Sequence, residues 1–504
     1  MSKGIKKAVS WSLLASLALA AGCNFAPKYS PPPLAAPVAY KETNNWKVAE
    51  PSDGVIKGKW WEMFNDPQLN QLEEQVTVSN QTIIAALDNF LVARAAAKQA
   101  RSELYPTVSA TPSLTKTRPS RNQGTATVPG ASGGHGGNRI FSDYVLPLDA
   151  SWEPDLWGSI RNTVAADAFA AQASAAQLEN LRLTLQGEVA VDYYELRSQD
   201  ELIGLYNSTI TNYKASLDLT KTLFDTGIDS ALDVAQADSL LQTTLAQAAG
   251  LRVQRAQYEH AIATLIGQPA STFSLTPVQR PDNPPPIPIG VPSQLLERRP
   301  DIASAERTVA QANASIGVAR AAYFPTISLT GAGGFQSSSS GVLLTASSLY
   351  WTAGASAAET LLDFGKRKAG VQQAWANYGA EAANYRETVL TAFQQVEDNI
   401  SALRILEDEG VQQGVAIKAT QRNYDLALER YRLGINSYLN VISAEVSLLS
   451  DQQADVSIRL QQMTSAVQLV LALGGGWDAT NLPTKRDILH SSSTTNSIAA
   501  PSSN

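Results

Sequence analysis

The feature that most constrains the fold is an internal repeat covering about half of the chain. The segment "DLTKTLFDTGIDSALDVAQADSLL" at 218–241 returns as "DLALERYRLGINSYLNVISAEVSLL" at 425–449. Matched glycines such as Gly227 and Gly434 lie 207 residues apart, and upstream "ARSELYPTVS" matches "ARAAYFPTIS" at an offset of 219. Such self-similarity predicts two copies of one structural unit.

Each copy has the same predicted order of elements: a helix, two strands, a long helix, a tight turn and a returning helix. Apolar and polar residues alternate in stretches such as "DYVLPLDASWEPD", which indicates strands. Residues 164–225 and 368–432 contain no proline, and at about 1.5 Å per residue each predicts a helix of roughly 90–100 Å. The four predicted strands lie at about 104–117, 140–153, 323–336 and 349–360.

The alternating strands have two interpretations. They are either half-buried hairpins on a soluble domain, or membrane strands with an apolar face toward lipid and a polar face toward a lumen. Four strands cannot close a barrel, since about eight is the smallest known, and open edges cannot lie in lipid. The membrane interpretation therefore requires an oligomer. Pro112 and Pro147 would interrupt the strand ladders.

The N-terminus predicts a secretory signal peptide over residues 1–22, with a basic start followed by an apolar run. Cys23, the only cysteine in the chain, follows it. Its position resembles the lipobox of bacterial lipoproteins, which implies a covalent lipid (diacylglycerol and an N-acyl chain) on Cys23. Ala20 stands where that motif prefers Leu, and Asn24 in place of Asp implies export to the outer membrane. The alternative is an ordinary cleaved signal with a bystander cysteine.

Three motifs together resemble the outer membrane factor family, the TolC-like channels, and in particular the lipoprotein branch that serves resistance-nodulation-division efflux systems. These are "WWEMFNDPQLNQL", "RRPDIASAERTVAQANASIGVARAAYFPTISL" and the paired "GIDSALDVAQA" and "GINSYLNVISAE". The resemblance implies a mixed α and β fold. A homotrimer would form a 12-stranded outer membrane β-barrel, in outer membrane lipid, continuous with a periplasmic α-barrel of long helical hairpins.

The same resemblance implies a passive export duct for small molecules in a tripartite efflux pump, working with a periplasmic adaptor protein and an inner membrane pump. It implies a protein of the cell outer membrane, lipid-anchored and extending into the periplasm, with no cofactor apart from the lipid on Cys23. Two alternatives stay open: a type I protein secretion duct, and a pore-less periplasmic helical scaffold or adaptor.

The domain organisation follows from the repeat. The expected boundaries are an N-terminal lipid-anchored extended segment at 23–67, a first repeat at 68–279, a Pro-rich linker at 280–292, a second repeat at 293–480 and a disordered Ser/Thr-rich tail at 481–504.

The repeated turns themselves have two interpretations. Glycine ends a helix well in the left-handed conformation. The residues that follow, Asp229 or Ser230 in the first copy and Asn436 or Ser437 in the second, can cap the next helix, so the motif serves any helical hairpin. The family resemblance implies in addition that the tips contact the adaptor. The residues expected to do so are Gly227, Ile228, Ser230, Gly434, Ile435 and Ser437.

Candidates for a gate lie just after each tip glycine. The family often has acids six and nine positions after the second tip glycine, but here those positions hold Asn440 and Ser443. Asp233 stands at the sixth position of the first hairpin, where a capping box with Ser230 also explains it. The further candidates are Leu439 and Glu445.

Composition and spacing argue against other classes of function. Without residues 1–22, which hold three lysines and no acids, 36 basic residues face 46 acidic ones, a net charge of −10 that argues against nucleic acid as a partner. The three histidines, at positions 135, 260 and 490, show no metal-ligand spacing, and no nucleophile, base and orienting residue share a stretch. The sequence therefore predicts that the protein is not an enzyme and holds no metal.

Overall fold

The computed structural model describes residues 24–33, 37, 40, 41, 58–118, 140–278, 284, 285, 287 and 298–490. In chain order its helices and strands are α1 (Pro67–Ser79), α2 (Gln81–Ser102), β1 (Thr107–Ser109), β2 (Ser113–Thr117), β3 (Phe141–Trp152), α3 (Ser159–Asp225), α4 (Ala231–Leu265), α5 (Pro300–Ala321), β4 (Thr326–Ser337), β5 (Leu349–Ala358), α6 (Lys366–Arg432), α7 (Tyr438–Ala472) and α8 (Lys485–Leu489). Among the described residues, no helix is long and apolar enough to span a membrane.

Two hairpins of unequal arms dominate the molecule. The long helices α3 and α6 contain 67 residues each, which is about 100 Å at 1.5 Å per residue, and the returning helices α4 and α7 contain 35 each. Each long helix begins after a left-handed glycine, Gly158 or Gly365. The carboxylates of Asp155 and Asp363 accept hydrogen bonds from the first amides of the helices, so both helices begin before the predicted positions 164 and 368.

The helix that the repeat predicts before the first pair of strands is two helices in the structure, α1 and α2. Asn80 separates them: its side-chain oxygen accepts hydrogen bonds from the amides of Thr82 and Ile83, while its nitrogen donates to the Leu265 carbonyl at 2.7 Å. The new cap and the contact with the end of α4 explain the break.

The strands form one antiparallel sheet in which β1 and β2 both pair with β3, β3 pairs with β4, and β4 pairs with β5. The first predicted strand, 104–117, is therefore split, and the described residues contain five strands where four were expected. Pro112 lies in the gap between β1 and β2 and has no N–H for the ladder. Pro147 is accommodated within β3 because it faces Gly334, where a Cβ would lie only 2.1 Å from the Leu146 carbonyl oxygen.

The main core lies where α1, α3, α4 and α7 meet. Its fully buried side chains include Trp60, Leu69, Leu196, Ile262 and Leu469. Alanines are buried along the helix contacts as well, which lets the helices approach closely.

A buried ionic cluster lies beside the main core. Asp200 accepts hydrogen bonds from Arg197 at 2.7 Å and from Arg255 at 2.6 Å, and the two guanidinium groups also donate to the carbonyls of Thr276 and Leu275. This cluster holds the segment that leaves the first repeat.

The expected disordered tail, 481–504, differs from the structure at its beginning. Helix α8 starts with a capping box of Thr484 and Asp487, and Ile488 is fully buried against Ala97 and Ala171. Arg101 donates to the Leu489 carbonyl at 2.8 Å. The tail packs on the first repeat as far as residue 490 because α2 and α3 bury the side chain of Ile488. Residues 491–504 lie outside the described residues, as do residues 1–23.

Candidate functional site: the hairpin tips

The first tip joins α3 to α4. Gly227 has a φ of 80°, and the Ile228 amide donates to the Leu223 carbonyl at 2.9 Å, so the turn closes in the predicted left-handed conformation. Ser230 and Asp233 form a capping box in which each accepts from the other's backbone amide. This confirms the capping role expected for Asp233.

The second tip joins α6 to α7 with a different cap. Gly434 again is left-handed, with a φ of 69°. Ser437 makes no side-chain capping bond, so the cap expected there is absent. The side chain of Asn436 instead accepts a hydrogen bond from Nε of Arg430 at 3.3 Å, back toward the end of α6. The two copies of the motif share a backbone turn but not a cap.

Both tips expose apolar side chains. Ile228 is 66% exposed and Ile435 is 60% exposed, which is unusual for isoleucine in a folded chain. Further exposed apolar side chains on the same turns are Phe224, Leu232, Leu433 and Leu439. The tips therefore present an exposed apolar surface.

A tyrosine ties the two tips together. The Tyr431 hydroxyl near the end of α6 donates to the Asp229 carboxylate in the first tip and is 3.1 Å from Oγ1 of Thr220. Burial and the bond to Asp229 raise the pKa of Tyr431. This tie was not predicted from the sequence; the available signal is that Phe224 occupies the equivalent position in the first copy.

The structure places the gate candidates in three different environments. Leu439, Asn440 and Ser443 are exposed on the first turns of α7, and the Ser443 hydroxyl donates to the Leu439 carbonyl at 2.9 Å. Glu445 is only 3% exposed. Asp233 lies on the other hairpin and is half-buried.

Glu445 lies between α7 and α3. One carboxylate oxygen accepts a hydrogen bond from the Ser216 hydroxyl at 3.1 Å, and the other has no hydrogen-bond partner among the described residues. Burial raises the pKa values of three nearby tyrosines, Tyr213, Tyr424 and Tyr438, and the carboxylate charge of Glu445 raises them further. Burial raises the pKa of Glu445 itself to about 7. Within the described residues, no group of three or more His, Cys, Asp or Glu side chains could hold a metal.

The fold therefore combines two helical hairpins, whose long arms measure about 100 Å, with a small antiparallel sheet at the start of the long helices and an apolar pair of turns at their far ends. The family model for "Outer membrane efflux protein" matches residues 72–268 and 291–475. The chain belongs to this family of outer membrane efflux proteins.

Individual relatives agree with the family. The chain is 33% identical to the probable efflux pump outer membrane protein TtgC of Pseudomonas putida, covering 92% of this chain and 95% of the relative. It is 30% identical to the pyoverdine export outer membrane protein OpmQ of Pseudomonas aeruginosa, covering 93% and 97%.

Solved structures agree as well. The outer-membrane channel OprN superposes with a TM-score of 0.81 at 30% identity, covering 90% of this chain and all of OprN. The open state of the Neisseria gonorrhoeae MtrE channel gives 0.76 at 26% identity, covering 91% and 99%. The protein is therefore an outer membrane efflux channel of the TolC-like type that extends into the periplasm, and its family is not an enzyme class.

Proposed function

We propose that three copies of this chain form a passive export duct for small molecules, with a 12-stranded outer membrane β-barrel above a periplasmic tunnel. The observation that carries the proposal is the sheet with two open edges. Within the described residues β5 pairs on one side only. So do β1 and β2, which both pair with β3 and together occupy one strand position at the other edge of the sheet. Open edges are unstable in lipid. Four strand positions from each of three chains would close the sheet into a barrel.

The export step itself needs no chemistry from this chain. An inner membrane pump supplies the energy, and a periplasmic adaptor connects the pump to the duct. The tips are proposed as the adaptor contact because Ile228 and Ile435 are exposed beside glycines whose surroundings are open. The residues in this contact are Gly227, Ile228, Ser230, Gly434, Ile435 and Ser437. No catalysis and no cofactor are proposed.

A lipid on Cys23 would anchor the protein in the outer membrane. The segment that follows it supports this placement. The Phe25 ring stacks on Phe324 at 4.5 Å, directly before β4 begins, and Arg320 donates to the Phe25 carbonyl. The chain thus leaves residue 24 beside the sheet, where an anchor at the membrane surface is within reach. The proposed domain boundaries are those of the sequence analysis, with the tail beginning after residue 490.

The assembly is tested by purifying the full chain in detergent. A heat-modifiable trimer on gels, with the same mass by native mass spectrometry, is the expected result. Extraction as a monomer by salt alone would eliminate the duct and favour the pore-less scaffold.

The gate is proposed at the exposed start of α7, where Leu439, Asn440 and Ser443 face solvent together. Replacing Leu439 by Ala removes the largest of these side chains and is expected to raise single-channel conductance in planar bilayers. The matched control is Val253→Ala, an exposed apolar position in the middle of α4. Equal conductance in both variants would remove Leu439 from the gate.

A further inference from the structure

The first repeat pairs β1 and β2 with β3, and the second pairs β4 with β5. The two pairings have the same register once the sequence offsets between the repeats are added. In the first, Thr107 lies opposite Ser151. Moving Thr107 by 219 residues and Ser151 by 207 gives Thr326 and Ala358, which are opposite each other in the second hairpin. By the same offsets, the pair Ser113 and Val145 of the first hairpin corresponds to the pair Ala332 and Thr352 of the second. The sheet therefore has a local symmetry that the sequence offsets describe residue by residue.

Within the chain, the joint between the repeats has two parts. The first is the seam between β3 and β4, where Leu148 lies opposite Gly333. The second is an aromatic lock directly after β3. Trp157 stacks on Phe324 with ring centroids 4.9 Å apart, and its indole N–H donates to the Pro325 carbonyl at 2.7 Å.

Applying the offsets once more gives positions on two strands whose outer edges are unpaired among the described residues. Leu148 becomes Ala355 on β5, and Gly333 becomes Leu114 on β2. These strands are the two edges of the sheet, and almost every residue on them is exposed.

The offsets also relate the two rings of the aromatic lock to two exposed aromatic residues. Trp157 becomes Phe364, and Phe324 becomes Tyr105. Phe364 is 93% exposed and has a φ of 49°, a conformation that bulky L-residues rarely adopt. Tyr105 is 58% exposed. A non-glycine residue held in this conformation with its ring in solvent points to a contact outside the chain.

We propose that the joint between the repeats is formed again between chains: Phe364 of one copy packs on Tyr105 of the next, and β5 pairs with β2 of that copy with Ala355 opposite Leu114. This rests on the proposed trimer and adds the residues and the register of its sheet interface. The same rule places Ala353 opposite Lys116 and Ala357 opposite Pro112.

The register is tested by disulfide crosslinking of the full-length chain in membranes. Directly opposite residues of antiparallel strands have Cα atoms about 4.5–5.5 Å apart, within the range of a disulfide, whereas diagonal neighbours are about 7–8 Å apart. The variant with Ala355→Cys and Leu114→Cys is expected to give covalent dimers and trimers under oxidation. The controls are Ala355→Cys with Lys116→Cys and each single cysteine variant, which are expected to give none.

The outcomes separate the register from the assembly. Covalent oligomers in the shifted control but not in the predicted pair would overturn the register while leaving the trimer standing. Absence of crosslinks in both pairs, with a trimer of correct mass by native mass spectrometry, would overturn the proposed pairing of these edges. A monomer by mass would overturn the proposed function itself.

The aromatic contact has its own test. Phe364→Ala is expected to lower the temperature at which the trimer separates on gels, whereas Leu344→Ala, an exposed position in the turn between β4 and β5, is expected to leave it unchanged. Phe364→Trp copies the lock of Trp157 and is expected to retain or raise the wild-type temperature. Equal temperatures for the two alanine variants would overturn the contact.

Discussion

Glu445 gives a prediction that the geometry makes quantitative. Its carboxyl group is buried between α7 and α3 with one hydrogen bond, from Ser216. Burial raises the pKa from 4.5 to about 7. Glu445→Gln keeps an acceptor for Ser216 and similar volume but cannot ionise. The variant therefore isolates the effect of the charge on the packing of the two hairpins.

The direction of the pH dependence follows from the pH at which the packed and the open states each lose the proton of Glu445. Below pH 4.5 the carboxyl is protonated whether the helices are packed or locally open. Between pH 4.5 and about 7 only the open state releases its proton, so the free energy of opening falls as the pH rises, and above about 7 the loss is complete. At about 1.4 kcal/mol for each pH unit, the total is about 3 kcal/mol. The Gln variant is expected to show no such fall.

Hydrogen exchange measures this directly. In wild type, amides of α7 around Glu445 and of α3 around Ser216 are expected to gain opening population by roughly 100-fold between pH 5 and pH 8, after correction for intrinsic exchange. In Glu445→Gln the opening population is expected to stay constant. Glu407→Gln, an exposed acid on α6, is the matched control and should follow wild type. Parallel pH profiles for wild type and Glu445→Gln would refute the reasoning.

Three further predictions concern the tie, the turn and the buried ions. Tyr431→Phe removes the bond to Asp229 and is expected to cost about 1–3 kcal/mol, seen as faster hydrogen exchange at both tips. Gly434→Ala is expected to cost about 1 kcal/mol because of its left-handed backbone, whereas Gly414→Ala, in a helix interior with equal space, should be neutral or stabilising in thermal unfolding. Asp200→Ala leaves two arginines without their shared carboxylate and is expected to cost about 3–5 kcal/mol, measured as loss of folded protein in membranes; an unchanged yield would contradict this.

Sequence reasoning reached furthest where the interactions are local. The left-handed turns at Gly227 and Gly434, and the capping box of Ser230 with Asp233, depend on residues within a few positions of one another. The same reasoning failed at Ser437, although its local sequence is similar. There the neighbouring Asn436 bonds back to Arg430 instead, a choice between two local partners that the pattern does not decide.

The long helices and the alternating strands were also predictable from the sequence, because hydrophobic period and the absence of proline are properties of a segment. The breaks within the predicted elements were harder to predict. Asn80 divides one predicted helix because its side chain reaches the carbonyl of Leu265, 185 positions away. Helix α8 forms in a Ser/Thr-rich tail because it contacts Arg101, Ala97 and Ala171 of the first repeat, and nothing in the tail itself predicts those contacts.

What the sequence alone determined is the duplication, the order of elements and the chemistry of each turn, since these follow from composition and spacing along one segment. Only the tertiary structure decided that Tyr431 ties the second hairpin to Asp229 of the first, 202 positions earlier, and that Glu445 is buried against Ser216 rather than exposed beside Leu439. The physical reason is that burial depends on which helices pack together. The sequence sets which side chains lie on each face of a helix, but not which of those faces the neighbouring helices cover.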